Sequence, residues 1–168
     1  MRMNLMENQF TYFEDIDSNE EFWAKPDGTS LQAHSFEVAR IANEVVNDLY
    51  IHKRYKNYRD VIQKIIVLSA YIHDAGKLDK RWQKYIKGEI KDYVISHPLF
   101  SLPIAKQFLD EKLKDDFENE KEKEFFIGMA LLSIATHHSY LTINKYEKFK
   151  EVKINIMVPV SYTHLRAH

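Results

Sequence analysis

The run 61–72, Val-Ile-Gln-Lys-Ile-Ile-Val-Leu-Ser-Ala-Tyr-Ile, constrains this chain most. It is apolar almost throughout and ends in His73-Asp74. It reads as a buried helix, so an imidazole and a carboxylate fall at the rim of a core. Such groups are costly there unless something binds them. The chain has only 4 Gly and 4 Pro in 168 residues. With helix breakers this scarce and long periodic segments, the predicted fold is all-α, in one domain with a real core.

Composition narrows the chemistry. The hydrophobic share of 45% and the charged share of 29% are ordinary for a soluble globular protein. Formal net charge is −1, so nucleic-acid binding would need a local patch or bound cations. There is no cysteine, which excludes disulfides and thiolate metal sites. Any metal must be held by nitrogen and oxygen. No apolar run is long enough for a bilayer and no leader is apparent, so no membrane role and a cytoplasmic location are expected.

Residues 1–28 read as irregular and partly acidic. Thr29 or Ser30 is placed to cap a helix over 31–50 with the apolar stripe Val38, Ile41, Ala42, Val45 and Leu49. His34 lies one turn before Val38 on that stripe. A second helix over 58–74 turns Ile62, Ile66, Ser69 and His73 inward, and Gly76 is expected to end it. A short helix over 80–87 carries Trp82 and Tyr85. Ser96-His97-Pro98 reads as a helix start, with serine as cap and proline in the first turn. Leu102, Ala105, Phe108 and Leu109 follow. Residues 110–124 are polar and read as a helix end and a solvated loop. The stretch 125–135 is nearly all apolar and is expected to be buried on most sides, ending in Thr136-His137-His138.

His34, His73, Asp74, His97, His137 and His138 therefore fall at inward or rim positions of separate helical segments. A single histidine on an apolar helix face is more often a hydrogen-bonded core residue. Four helices each bringing histidine to the core are harder to explain by packing. Clustered imidazoles repel when charged and leave lone pairs empty when neutral. A metal ion answers both problems, and an imidazole–carboxylate set suits first-row divalent ions. His52 has polar surroundings and reads as a surface residue.

The segment 158–168 continues no amphipathic period. It is similar to translated sequencing-adaptor read-through, and is expected to be non-native. That reading removes His164 and His168 as ligands and places the native continuation elsewhere.

Four stretches resemble one family. Phe22-Trp23-Ala24-Lys25-Pro26 with Leu31 and His34 is the first. The second, and most specific, is His73-Asp74-Ala75-Gly76-Lys77-Leu78-Asp79-Lys80-Arg81-Trp82-Gln83-Lys84-Tyr85. Ser96-His97-Pro98 with Ser101 is the third, and Ala135-Thr136-His137-His138 the fourth. Together they resemble the HD superfamily of metal-dependent phosphohydrolases. Within it the chain is most similar to the HD nuclease domain of the type I CRISPR-associated nuclease-helicase, over about 20–145.

The resemblance implies an HD-type helical bundle over 1–157, incomplete at its C-terminus, around two divalent transition-metal ions: manganese, iron, nickel or cobalt. Asp74 would bridge them. His34 and His73 would hold one, and His97, His137 and His138 the other. Lys77 would neutralise charge on a phosphate. The implied activity is hydrolysis of single-stranded DNA in CRISPR antiviral defence, with a helicase domain or subunit and an RNA-guided surveillance complex as partners. Lys80, Arg81, Lys84 and Lys87, interleaved with Trp82 and Tyr85, would contact that strand; Trp82 reads equally well as a core plug. The family pattern also has a later aspartate on the first ion. No aspartate follows Asp116, and the only acids after His138 are Glu147 and Glu151. The alternatives are an HD phosphohydrolase acting on a nucleotide or other small phosphoester, and a catalytically impaired metal-binding fragment.

Overall fold

Five α-helices carry the fold in the computed structural model, which describes residues 12–13, 22–92 and 96–138. They are α1 (Leu31–Asp48), α2 (Arg59–Ile72), α3 (Lys80–Ile86), α4 (His97–Lys112) and α5 (Glu120–Thr136). Short 3₁₀ turns, Lys53–Tyr58 and Ala75–Leu78, flank α2. An isolated β-bridge pairs Trp23 with Ser30. The architecture is all-α, as predicted.

Local chemistry sets the helix starts. The Ser30 side chain accepts a hydrogen bond from the Ala33 amide and caps α1. Asp79 caps α3 by accepting from the Trp82 amide at 2.9 Å. Asn119 caps α5 by accepting from the Lys121 amide at 2.9 Å, and Glu120 and Glu122 suit its positive end. That cap starts α5 five residues before the expected 125, so part of the polar stretch is its first turn. Ser96 stands at the N-cap of α4 but makes no side-chain cap bond.

The central element is α2, which packs against α1, α4 and α5. Val67, Leu68, Tyr71 and Ile72 are buried there with Ala105, Phe108 and Leu109 of α4 and Ile127 and Ile134 of α5. Tyr12 and Phe13 close the Tyr71 side: the Phe13 amide donates to the Tyr71 hydroxyl at 3.3 Å, and the Tyr12 ring lies 5.7 Å from that of Phe108.

Two expected phases are corrected. The buried face of α1 is Leu31, Ser35, Ala39 and Val46, whereas Ile41, Val45 and Leu49 are exposed. Ser35 and Ala39 are small and fully buried, which lets α1 approach α2 closely through them rather than through its large side chains. On α5, Phe125, Met129 and Leu132 are exposed, so this helix is not buried on most sides among the described residues. Phe125 and Met129 belong to a further feature. Val38, Ile62, Ile66, Phe125 and Met129 line an apolar groove of about 600 Å³ over α2 that reaches His73 and His137.

Gly76 does not end α2, which stops at Ile72; it lies in the 3₁₀ turn that follows. Its role is close approach. A Cβ there would run into the His97 carbonyl oxygen and come within 2.7 Å of the Ser101 nitrogen. The first turn of α4 thus rests directly on the turn after Asp74.

Candidate metal centre

The C-terminal end of α2, the following turn, and the relevant ends of α1, α4 and α5 meet at Asp74. This carboxylate is 1% exposed. Its two oxygens face different imidazoles. Oδ2 lies 3.3 Å from Nε2 of His34 and 3.3 Å from Nε2 of His73. Oδ1 lies 3.1 Å from Nε2 of His97 and 3.4 Å from Nε2 of His137. The His138 ring centroid lies 4.1 Å from that of His137, with the rings tilted, and 4.9 Å from that of His97, edge to face. Two groups result, His34–His73–Asp74 and Asp74–His97–His137–His138, each with its ligand atoms within 4.8 Å of one another. All six residues singled out in the sequence are brought together. His52 is exposed, away from α2's C-terminal end.

Backbone contacts decide which ring nitrogen faces the centre. Nδ1 of His73 is 2.7 Å from the Ala70 carbonyl oxygen, and Nδ1 of His137 is 2.6 Å from that of Ile134. A carbonyl can only accept, so each Nδ1 carries the proton. In the neutral ring Nε2 is then a bare lone pair aimed at a carboxylate oxygen. Two facing lone pairs repel unless a cation sits between them. Among the described residues, Asp74 Oδ1 and Nε2 of His97 and His137 are indeed buried without a hydrogen-bond partner. Ligand atoms at ~2.1 Å from one ion are about 3.0–3.4 Å apart in octahedral or tetrahedral geometry, which matches the spacings around Asp74.

The electrostatics suit metal ligation. Burial pushes the Asp74 carboxyl up, but the hydrogen bonds it accepts from His137, His34, His73 and His97 when their Nε2 atoms carry a proton outweigh burial and hold the group well below the usual carboxylate range. Burial lowers His97 to about 4, against the opposing pull of Asp74, so its ring is neutral at pH 7. Burial and the neighbouring His137 also lower His138. A neutral His97 imidazole beside an ionised carboxylate is the protonation pattern a divalent ion requires. This buried cluster can hold a metal ion.

The remaining predicted site residues divide. Lys77 is buried, and its ammonium donates to Asp74 Oδ2 at 2.7 Å and to the Ala24 carbonyl at 3.0 Å. Lys80, Arg81 and Lys84 are exposed on α3. Trp82 is half-buried, with its ring 4.8 Å from that of His97, so it packs on the rim of the centre. Ser101 and Gln83 have structural roles that residue type alone did not show. Ser101 Oγ accepts from the Gly76 amide at 2.8 Å and donates to the His97 carbonyl at 3.1 Å. Gln83 bonds to Trp23 and Lys77. Glu147, Glu151 and the segment 158–168 lie outside the described residues. Among the described residues, no helix is long and apolar enough to cross a membrane. No family model, curated protein or solved structure matches this chain.

Proposed function

We propose that this chain is a metal-dependent phosphodiesterase of the HD type, cleaving single-stranded DNA as the nuclease of a type I CRISPR system. The observation that carries the reading is the division of Asp74: one oxygen faces His34 and His73, the other His97 and His137. A carboxylate shared in this way suits two divalent ions side by side, with manganese, iron, nickel or cobalt as candidates. His34 and His73 would hold one ion, and His97, His137 and His138 the other. Bound there, such ions supply Lewis-acid polarisation of phosphate and a water made acidic enough to attack at neutral pH.

The chain's own residues supply the rest. Asp74 stays ionised and would hold both ions, one through each oxygen. The Ala70 and Ile134 carbonyls hold His73 and His137 with Nε2 inward. The exposed cations Lys80, Arg81 and Lys84 on α3 are available to a DNA backbone beside the centre, with the Trp82 rim next to them. The groove over α2 offers apolar side chains rather than cations, so the strand is assigned to the α3 side. A helicase, an RNA-guided surveillance complex and a cytoplasmic setting belong to this reading through the family resemblance.

The experiment compares circular single-stranded DNA with nucleotides as substrates, in manganese, for the natural chain and Asp74→Ala. Manganese-dependent loss of DNA, absent in Asp74→Ala, is the expected result. Hydrolysis of nucleotides alone would instead make this an HD phosphohydrolase of small phosphoesters. Tight metal binding without hydrolysis of either would leave a metal-binding domain that is not a nuclease.

A further inference from the structure

Lys77 and Gln83 flank the centre without facing its open side. The Lys77 side chain is 8% exposed. Its ammonium donates to Asp74 Oδ2 and to the Ala24 carbonyl, and lies 5.8 Å from the centroid of the Trp82 ring. Two of the three N–H donors of the ammonium are thus engaged by oxygen acceptors. A phosphate at the centre would have to draw Lys77 away from two oxygen partners that it already satisfies.

Ala24 belongs to a loop that is closed on itself. Its amide donates to the Thr29 carbonyl at 2.7 Å, and the Leu31 amide donates to the Phe22 carbonyl at 2.7 Å. Gly28 turns the loop with φ +87°, a region open to glycine. Gln83, 7% exposed, grips the same loop from α3. Its Oε1 accepts from the Trp23 amide at 2.9 Å, and its Nε2 donates to the Trp23 carbonyl at 3.0 Å and the Lys77 carbonyl at 2.7 Å. The loop runs directly into Ser30 and the first turn of α1, where the His34 amide donates to the Ser30 carbonyl at 3.0 Å.

From this chain of contacts we infer that Lys77 and Gln83 form a latch that positions His34 against Asp74. Both are positioning residues. The His97–His137–His138 side comes from α4 and α5 and meets α3 through the Trp82 ring, 4.8 Å from that of His97, rather than through Gln83 or the Ala24 loop. The inference rests on the metal-centre reading, and it assigns the two ions different supports. Loosening the latch weakens the ion held by His34 and His73 and spares the other.

Gln83→Glu tests this away from every metal ligand. It keeps the side-chain length and replaces the donating nitrogen with an oxygen facing the Trp23 and Lys77 carbonyls. Manganese titration by calorimetry should show the weaker ion losing about tenfold in affinity and the tighter ion unchanged. In metal-free protein, amide exchange over 31–35 should rise about tenfold, with α4 and α5 unaffected. The exchange experiment reads the latch even if the chain proves to bind no metal or to cleave no DNA. If Gln83→Glu does not fold, Gln83→Met removes the same bonds without adding charge and carries the same expectations. Unchanged affinities and exchange, or equal weakening of both ions, would overturn the latch.

Discussion

The carbonyl oxygen of His97 occupies the space that a Cβ on Gly76 would need. The turn after Asp74 and the first turn of α4 can therefore touch only through a glycine. Gly76→Ala should force the His97 turn away and cost about 3 kcal/mol or more, as overpacking against backbone does. Gly128, exposed on α5 with nothing near its missing Cβ, is the control. Gly128→Ala should stabilise by roughly 0.5–1 kcal/mol through helix propensity. Urea midpoints of the two variants should move in opposite directions.

Asp74 and Lys77 form a buried pair at 2.7 Å, with side chains 1% and 8% exposed. Asp74→Asn should remove the pair's negative partner and leave the ammonium uncompensated. The metal-free protein should lose about 3 kcal/mol, the usual cost of breaking such a pair from one side. Metal binding should fall at both positions, because each uses one Asp74 oxygen. Thermal melts with and without manganese separate the effects: the natural chain gains stability with metal, and the variant gains little.

Part of the centre is legible in the sequence because α1 and α2 are amphipathic: His34 shares the phase of Val38, and His73 that of Ile62 and Ile66, which line the groove. On α4 and α5 the apolar pattern is weak, and Ser96-His97-Pro98 marks a helix start by chemistry instead. The error on α1 has a physical source. Of its stripe of large apolar residues, Val38 lines the groove while Ile41, Val45 and Leu49 are exposed; the buried face uses the small Ser35 and Ala39, and periodicity weights large side chains over small ones. In the sequence Gly76 resembles a C-cap because it follows a helix, and the approach of α4 that requires it has no local signal. Gln83 was legible as part of a motif, but its bonds to Trp23 span 60 positions and belong to tertiary structure.

His97 supplies a pH dependence of fixed sign. Burial lowers its folded pKa to about 4, below the ordinary value of 6.5. The unfolded chain therefore binds a proton at a pH where the folded chain does not. Its contribution to stability is complete above about pH 6.5 and is lost as pH falls through about 4, at most about 3 kcal/mol in all. Urea midpoints of the metal-free protein should drop over that window. His97→Asn should flatten the drop, and an equally steep profile in the variant would assign the proton elsewhere.

The two halves of the centre should bind metal unequally. Among the described residues, the His34 side offers two imidazoles and Asp74, whereas the other side offers three imidazoles and Asp74. The Lys77 ammonium donates to Oδ2, the oxygen on the poorer side, and so occupies one of its lone pairs while it holds the Ala24 loop. Fewer ligands leave more positions to water, and an occupied lone pair weakens binding further. One tight and one loose ion per chain are expected, separated by about tenfold or more in affinity. Calorimetric titration with manganese or nickel checks the order. His138→Ala should weaken the tight ion, and His34→Ala the loose one. Two ions of equal affinity would mean that a further acid, such as Glu147 or Glu151, completes the His34 side.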